Sequence, residues 1–162
     1  MRRGLPLWSV IALSVIAVDQ LTKLVADALL ELYQPVELLP VFSFTLGYNP
    51  GAAFSLLGDA GGWQRWLFTG FALAVSVFLI VWLRRLPPWD RWQTWGLSLI
   101  LGGAIGNVID RLAYGHVIDF IHVYWRDWHY PIFNIADSAI TIGVALILIY
   151  AFFLEGREQS RS

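Results

Sequence analysis

Four stretches of the chain carry no Asp, Glu, Lys or Arg and are dominated by apolar residues: Gly4–Val18, Trp66–Leu83, Trp92–Ile109 and Ser138–Leu154. Each approaches the roughly 20 residues that a helix needs to cross a hydrocarbon layer. The first continues past Asp19 and Lys23 to about Ala26. This pattern predicts helices near 6–27, 64–84, 92–112 and 134–154 within a single membrane domain covering 1–162. The longest charge-free run, Leu38–Gly58, is of another kind. Pro40, Gly47, Pro50 and Gly51 break it as a helix, and Val41, Phe42, Phe44, Thr45 and Tyr48 favour strand. It therefore reads as a strand or hairpin over Val36–Asn49.

A second strand is expected at Val117–Trp125, where period-two geometry puts Val117, Asp119, Ile121 and Val123 on one face. An apolar face with one carboxylate suggests a strand lying on the membrane surface. Between the hairpin and the second helix, Gly51–Gly58 suits a short amphipathic turn or lid, with Gly58, Gly61 and Gly62 letting it move. The fold class read from the residues is thus a mainly α membrane protein of four transmembrane helices with strand-like outer segments. The β/lid segment is 28–63 and the second strand segment 113–133.

Composition agrees with a membrane protein. Hydrophobic residues make up 57% and charged residues 14%, against about 25% charged in a soluble domain. The net charge of −1 gives no electrostatic reason to expect nucleic acid. The absence of Cys excludes disulfides and a thiolate nucleophile. Arg2 and Arg3 before an apolar core, with Ala26-Asp27-Ala28 after it, resemble a cleaved leader. Asp19 and Lys23 interrupt that pattern, so the segment reads as a retained first span.

Charge also orients the spans. Arg2, Arg3, Arg84, Arg85, Arg91, Arg157 and Arg161 fall on one side, with only Lys23, Arg65, Arg111 and Arg126 towards the other. The positive-inside rule then puts both termini in the cytoplasm and the two long loops outside. Trp8, Trp82, Trp89, Trp92 and Trp95 mark the inner boundary, and Trp63, Trp66, Trp125 and Trp128 the outer one.

Polar residues inside the spans carry the candidate chemistry. Asp19 and Lys23 are spaced i, i+4 and form a structural ion pair that shapes a site wall, with Lys23 snorkelling outward. Gly102 and Gly106 make a small-xxx-small contact. Gly103, Asn107, Asp110 and Arg111 share one face of the third helix. Asn134, Asp137, Ser138 and Thr141 share a face of the fourth. Capping by Asn134 and Asp137 is itself a sufficient explanation for that pair. It does not explain why Asp119, Asn107 and Arg111 fall at the same depth.

Asp119 and Asp137 both belong at the outer boundary. Two close carboxylates do not both ionise readily, so one retains a proton. That is the arrangement of an aspartic protease, which needs no metal and no cofactor. Activity would then fall at both pH extremes. The helix dipole makes Asp137 the easier of the two to ionise. His116, Asp119 and His122 have metal-ligand spacing, but strand alternation turns both histidines away from Asp119.

Four blocks, in this order, resemble the bacterial lipoprotein signal peptidases (signal peptidase II). They are Asp19-Gln20-Leu21-Thr22-Lys23, Asn49-Pro50-Gly51-Ala52-Ala53-Phe54-Ser55, Gly102 to Arg111 leading into Val117-Ile118-Asp119-Phe120, and Phe133-Asn134-Ile135-Ala136-Asp137-Ser138. The resemblance implies an endopeptidase that cuts a diacylglyceryl-modified prolipoprotein just before its lipidated cysteine, at the outer face of the inner membrane. It implies a small extracytoplasmic β-cradle with a short surface helix that closes on substrate, and Asp119 and Asp137 as the catalytic pair. It implies Asn49, Gly51, Gly103, Asn107, Arg111, Asn134 and Ala136 around the site, with Asp19 and Lys23 in support. Membrane lipids are the other expected partners, and a monomer is the default. The rival classes are a small transporter, routed through Asp19, Lys23, Asp110 and Arg111, and a non-catalytic scaffold. A transporter wants charge near the bilayer midplane, whereas these acids cluster at one surface.

Overall fold

A computed structural model describes residues 5–51 and 62–154. Helix α1 (Leu7–Leu29) leads into a hairpin of β1 (Pro35–Leu39) and β2 (Phe42–Asn49). Helices α2 (Trp63–Arg85) and α3 (Arg91–Ala113) follow, then β3 (Val117–Trp125) and β4 (Trp128–His129). Helix α4 (Ile135–Ile149) ends in a π-helical turn, Tyr150–Leu154. Helices α1, α2 and α3, and α4 taken together with its π-helical turn (Ile135–Phe153), are long and apolar enough to cross a membrane. The lid expected over Gly51–Gly58 lies outside the described residues, except for Gly51.

Local chemistry explains the boundaries. Pro87 and Pro88 cannot continue α2, and α3 starts where the Asp90 side chain accepts from the backbone N–H of Gln93 at 3.1 Å. At α4 the Asn134 side chain accepts from Asp137 N at 2.9 Å, and the Asp137 side chain accepts from Asn134 N at 3.3 Å. This is a reciprocal capping box.

Helix α3 is the central element, packed against α1, α2 and α4 and largely buried by them. Its glycines make this possible. A Cβ at Gly102 would sit 2.7 Å from Cβ of Val15 on α1, and one at Gly96 would sit 2.7 Å from Cδ1 of Ile147 on α4. The small-xxx-small contact of Gly102 and Gly106 thus faces α1. Gly96 and Gly103, one heptad apart, face α4. Close backbone approach of this kind lets helices associate where lipid supplies no hydrophobic drive.

The strands form one antiparallel sheet in the order β1-β2-β3-β4. Gly47 lies opposite Asp119 and Asn49 opposite Val117. The expected surface-lying β3 is corrected here. Val117, Ile118, Asp119 and Phe120 are all buried, so this half of the strand is covered on both faces. The amide N–H of Ile118 donates to the Asp110 carboxylate on α3 at 3.1 Å, which draws the strand onto the helix bundle. Tyr48 donates to Asp27 at 2.7 Å and ties β2 to the end of α1.

Candidate active site

The C-terminal end of α3, the N-terminal end of α4 and the buried start of β3 meet at one place. Asp119 comes from the strand and Asp137 from the first turn of α4. A linked pair of asparagines reaches them both. Asn134 Nδ2 donates to Asp119 Oδ1 at 2.6 Å, and Asn107 Nδ2 donates to Asp137 Oδ1 at 2.8 Å. The two amides are themselves joined, Asn134 Nδ2 to Asn107 Oδ1 at 3.2 Å. Asn134 therefore caps α4 with its carbonyl oxygen and serves Asp119 with its amide nitrogen.

The other oxygen of Asp119 accepts from Asn49 Nδ2 at 3.2 Å. Gly51 sets that asparagine. Its backbone N–H donates to Asn49 Oδ1 at 2.9 Å, so the amide nitrogen is the end left facing Asp119. A side chain at Gly51 would be strained twice: its φ is +108°, and a Cβ would lie 2.8 Å from the ring of Phe68.

Asp119 is 3% exposed. Burial, and next the charge of Asp137, push its carboxyl up to about 7, against the opposing donations of Asn49 and Asn134. It therefore holds or releases a proton near neutral pH.

Lys23 corrects the sequence expectation. The ion pair with Asp19 is present at 2.8 Å, but the ammonium does not snorkel outward. It is 1% exposed and turned into the bundle. There it also meets Asp110 at 2.8 Å and donates to Asn107 Oδ1 at 2.9 Å. A buried ammonium has three donors to satisfy, and these three acceptors take them.

Asp110 and Gln20 were not among the expected site residues. Gln20 Nε2 donates to Asp110 Oδ1 at 2.8 Å and approaches Asp19 Oδ2 at 3.3 Å. Asp110 shares the α3 face with Asn107, three residues on, and that spacing was the available signal. Gln20 adjoins Asp19 in sequence, but nothing in its own spacing marked it.

Ala136 and Gly103 lie where α3 packs against α4. Ala136 is fully buried, and its N–H donates to Asp19 Oδ1 at 2.8 Å. Gly103 lies directly under the Ala136 carbonyl, where any Cβ would collide. The Ser138 and Thr141 hydroxyls donate back to the carbonyls of Asn134 and Asp137. Arg111 approaches Asn107 O at 3.4 Å, and its guanidinium lies 5.8 Å from the Phe68 ring centre. It is near enough to Asp137, Asp119 and Asp110 to interact with all three charges. Among the described residues its Nε has no hydrogen-bond partner.

The histidines lie elsewhere. His116 packs on Tyr48, and His122 faces His129 at 3.1 Å.

The family described as Signal peptidase (SPase) II matches residues 11–153. A lipoprotein signal peptidase of Acinetobacter baylyi is 50% identical over 156 residues, 96% of this chain and 87% of its own. One of Pseudomonas fluorescens is 52% identical over 147 residues, 90% of this chain and 86% of its own. A bacterial membrane enzyme solved in meso at 2.3 Å resolution superposes with a TM-score of 0.79 at 32% identity, covering 89% of this chain and 86% of its own. A second, solved at 1.9 Å, gives 0.79 at 31% identity, covering 91% and 93%. With one family matching nearly the whole chain and relatives at half identity, the chain belongs to the signal peptidase II family, whose members are aspartic peptidases.

Proposed function

We propose that this chain removes the signal peptide from diacylglyceryl-modified prolipoproteins, hydrolysing the peptide bond just before the lipidated cysteine, with Asp119 and Asp137 as the catalytic pair. One observation carries the reading. Two carboxylates from different elements are held by a single linked pair of amides, Asn134 and Asn107.

The environments divide the labour. Asp137 sits at the N-terminus of α4 and accepts from Asn107 and from the Asn134 backbone, a setting that suits a carboxylate. Asp119 is buried, which favours its proton. Asp137 takes a proton from water, whose oxygen attacks the scissile carbonyl carbon. Asp119 gives its proton to the carbonyl oxygen. On collapse Asp137 passes its proton to the departing amine, and Asp119 recovers one from the gem-diol. Both carboxyls then stand as they began.

Arg111 lies beside the pair with donors to spare and binds a substrate carbonyl there. Asn49, held by Gly51, fixes Asp119, while Asp19 and Lys23 brace the amides. The pair occupies one end of the bundle, and Arg84, Arg85 and Arg91 occupy the other. That polarity supports cytoplasmic termini and a site at the outer face of the inner membrane. Exposed Leu, Val and Phe along the helices supply the surface that lipid covers.

The test is cleavage of a diacylglyceryl-modified precursor by the purified protein, with the unlipidated precursor as control. Only the lipidated form is cut. Asp119→Asn and Asp137→Asn each lower the rate at least about a hundredfold while folding normally. Full activity in either variant refutes the pair, and equal cutting of both precursors refutes the substrate.

A further inference from the structure

The end of the bundle opposite Asp119 and Asp137 contains a cavity of about 840 Å³ between the start of α1, the end of α2 and the start of α3. Trp8, Leu83, Leu86 and Pro87 make an apolar wall. Arg84, in the last turn of α2, and Arg91, the first residue of α3, both line the same space. Both are exposed, and no ion pair among the described residues uses either.

The neighbouring carboxylate is otherwise engaged. Asp90 is buried and turned into α3, where it accepts from Gln93 N at 3.1 Å and from Gln93 Nε2 at 2.7 Å. The amino end of α1 opens on the cavity as well. Pro6 supplies no side-chain cap, and the first turn holds no acidic residue, so the positive end of the helix is uncompensated.

A cavity with two unpaired cations, a bare helix N-terminus and an apolar wall fits an amphiphilic anion. Its place at a bundle end, beside Trp8, is the headgroup depth of a bilayer. We propose that it binds one anionic phospholipid. The phosphate lies between Arg84 and Arg91 near the start of α1, and an acyl chain lies against Trp8, Leu83 and Leu86. A zwitterionic lipid would add a third cation to the two already present. A free phosphate would leave the apolar wall uncovered.

The full-length protein, tag-free and in mixed vesicles, tests this through Trp8. Bromine-labelled phosphatidylglycerol is compared with bromine-labelled phosphatidylcholine as a quencher. The Trp8 signal is the difference between the parent and Trp8→Phe, which removes the background of the other eight tryptophans. Each arginine near an anionic headgroup is worth about fivefold in binding. The parent therefore prefers phosphatidylglycerol at Trp8 by on the order of 25-fold, and Arg84→Gln with Arg91→Gln abolishes the preference. Arg84→Lys with Arg91→Lys keeps both charges and retains most of it.

Equal quenching by the two lipids in the parent overturns the proposal, whatever the variants do. So does a preference that survives the double Gln substitution. Displacement of the labelled lipid by millimolar inorganic phosphate identifies a phosphate-ion site instead and also overturns it. The double Gln variant should still cleave precursor in phosphatidylcholine vesicles, because Asp119 and Asp137 lie at the other end of the bundle.

Discussion

Lys23 on α1 and Asn107 on α3 are 84 positions apart in sequence, and the lysine ammonium donates to the amide Oδ1 at 2.9 Å. This contact decides which way the asparagine faces. With Oδ1 committed to a cation, Nδ2 is the end that reaches Asp137. A buried lysine thereby sets the donor on a candidate catalytic carboxylate.

Replacing Lys23 by Met should uncouple that arrangement. It leaves Asp19 and Asp110 buried without their counter-charge and frees the Asn107 amide to rotate. Removing one partner from a buried ion pair costs roughly 3–5 kcal/mol. Thermal melts in detergent should register that loss. Cleavage at a temperature where the variant is still folded should be reduced as well, since Asp137 has lost a fixed donor. A variant that melts like the parent would contradict the burial of this network.

Asn134 permits capping and site roles to be separated. Asn134→Ser keeps an oxygen that can accept from Asp137 N but loses the amide donation to Asp119. The Tm should change little, whereas Asn134→Ala should lose about 1 kcal/mol with the cap. In both variants the Asp119 carboxyl loses a donor that favours its charged form, so its titration moves to higher pH. Equal melts with an unmoved pH profile would reduce Asn134 to a passive residue.

The pH response follows from Asp119. If it must hold a proton, cleavage should decline as pH rises through about 7. Stability has the same sign. The folded carboxyl binds its proton more tightly than the unfolded one, whose ordinary value is 3.8. The native state is thus the more protonated state between those values, and its stability falls as pH rises across them and stays at the lower level above. Asp119→Asn has no such slope. The difference in Tm between it and the parent should widen from about pH 4 to about pH 7 and then level off.

Helix packing at the site can be tested with two glycines. Gly103→Ala drives a methyl into the Ala136 carbonyl and Ile140, separating α3 from α4. Overpacking of this kind costs about 1–3 kcal/mol. It should lower activity further, because Asn107 and Asp137 sit on those two helices. Gly70 on α2 has open space where a Cβ would go, so Gly70→Ala should leave both melt and activity close to the parent.

The sequence by itself determined the spans, the hairpin, the capping box and the glycine stripes. Those features are local: they follow from span length, turn residues and spacings of two, three or four, which fix the residues that share a face. The same periodicity put Asn107, Asp110 and Arg111 together but left open what they face. Only the tertiary structure decided that. It turned Lys23 inward, made Asp110 its second partner and brought in Gln20. The reason is rotational. How far each helix turns about its axis is fixed by where the glycine surfaces of α3 let α1 and α4 approach, and that approach carries Asp119 and Asp137 to one pair of amides.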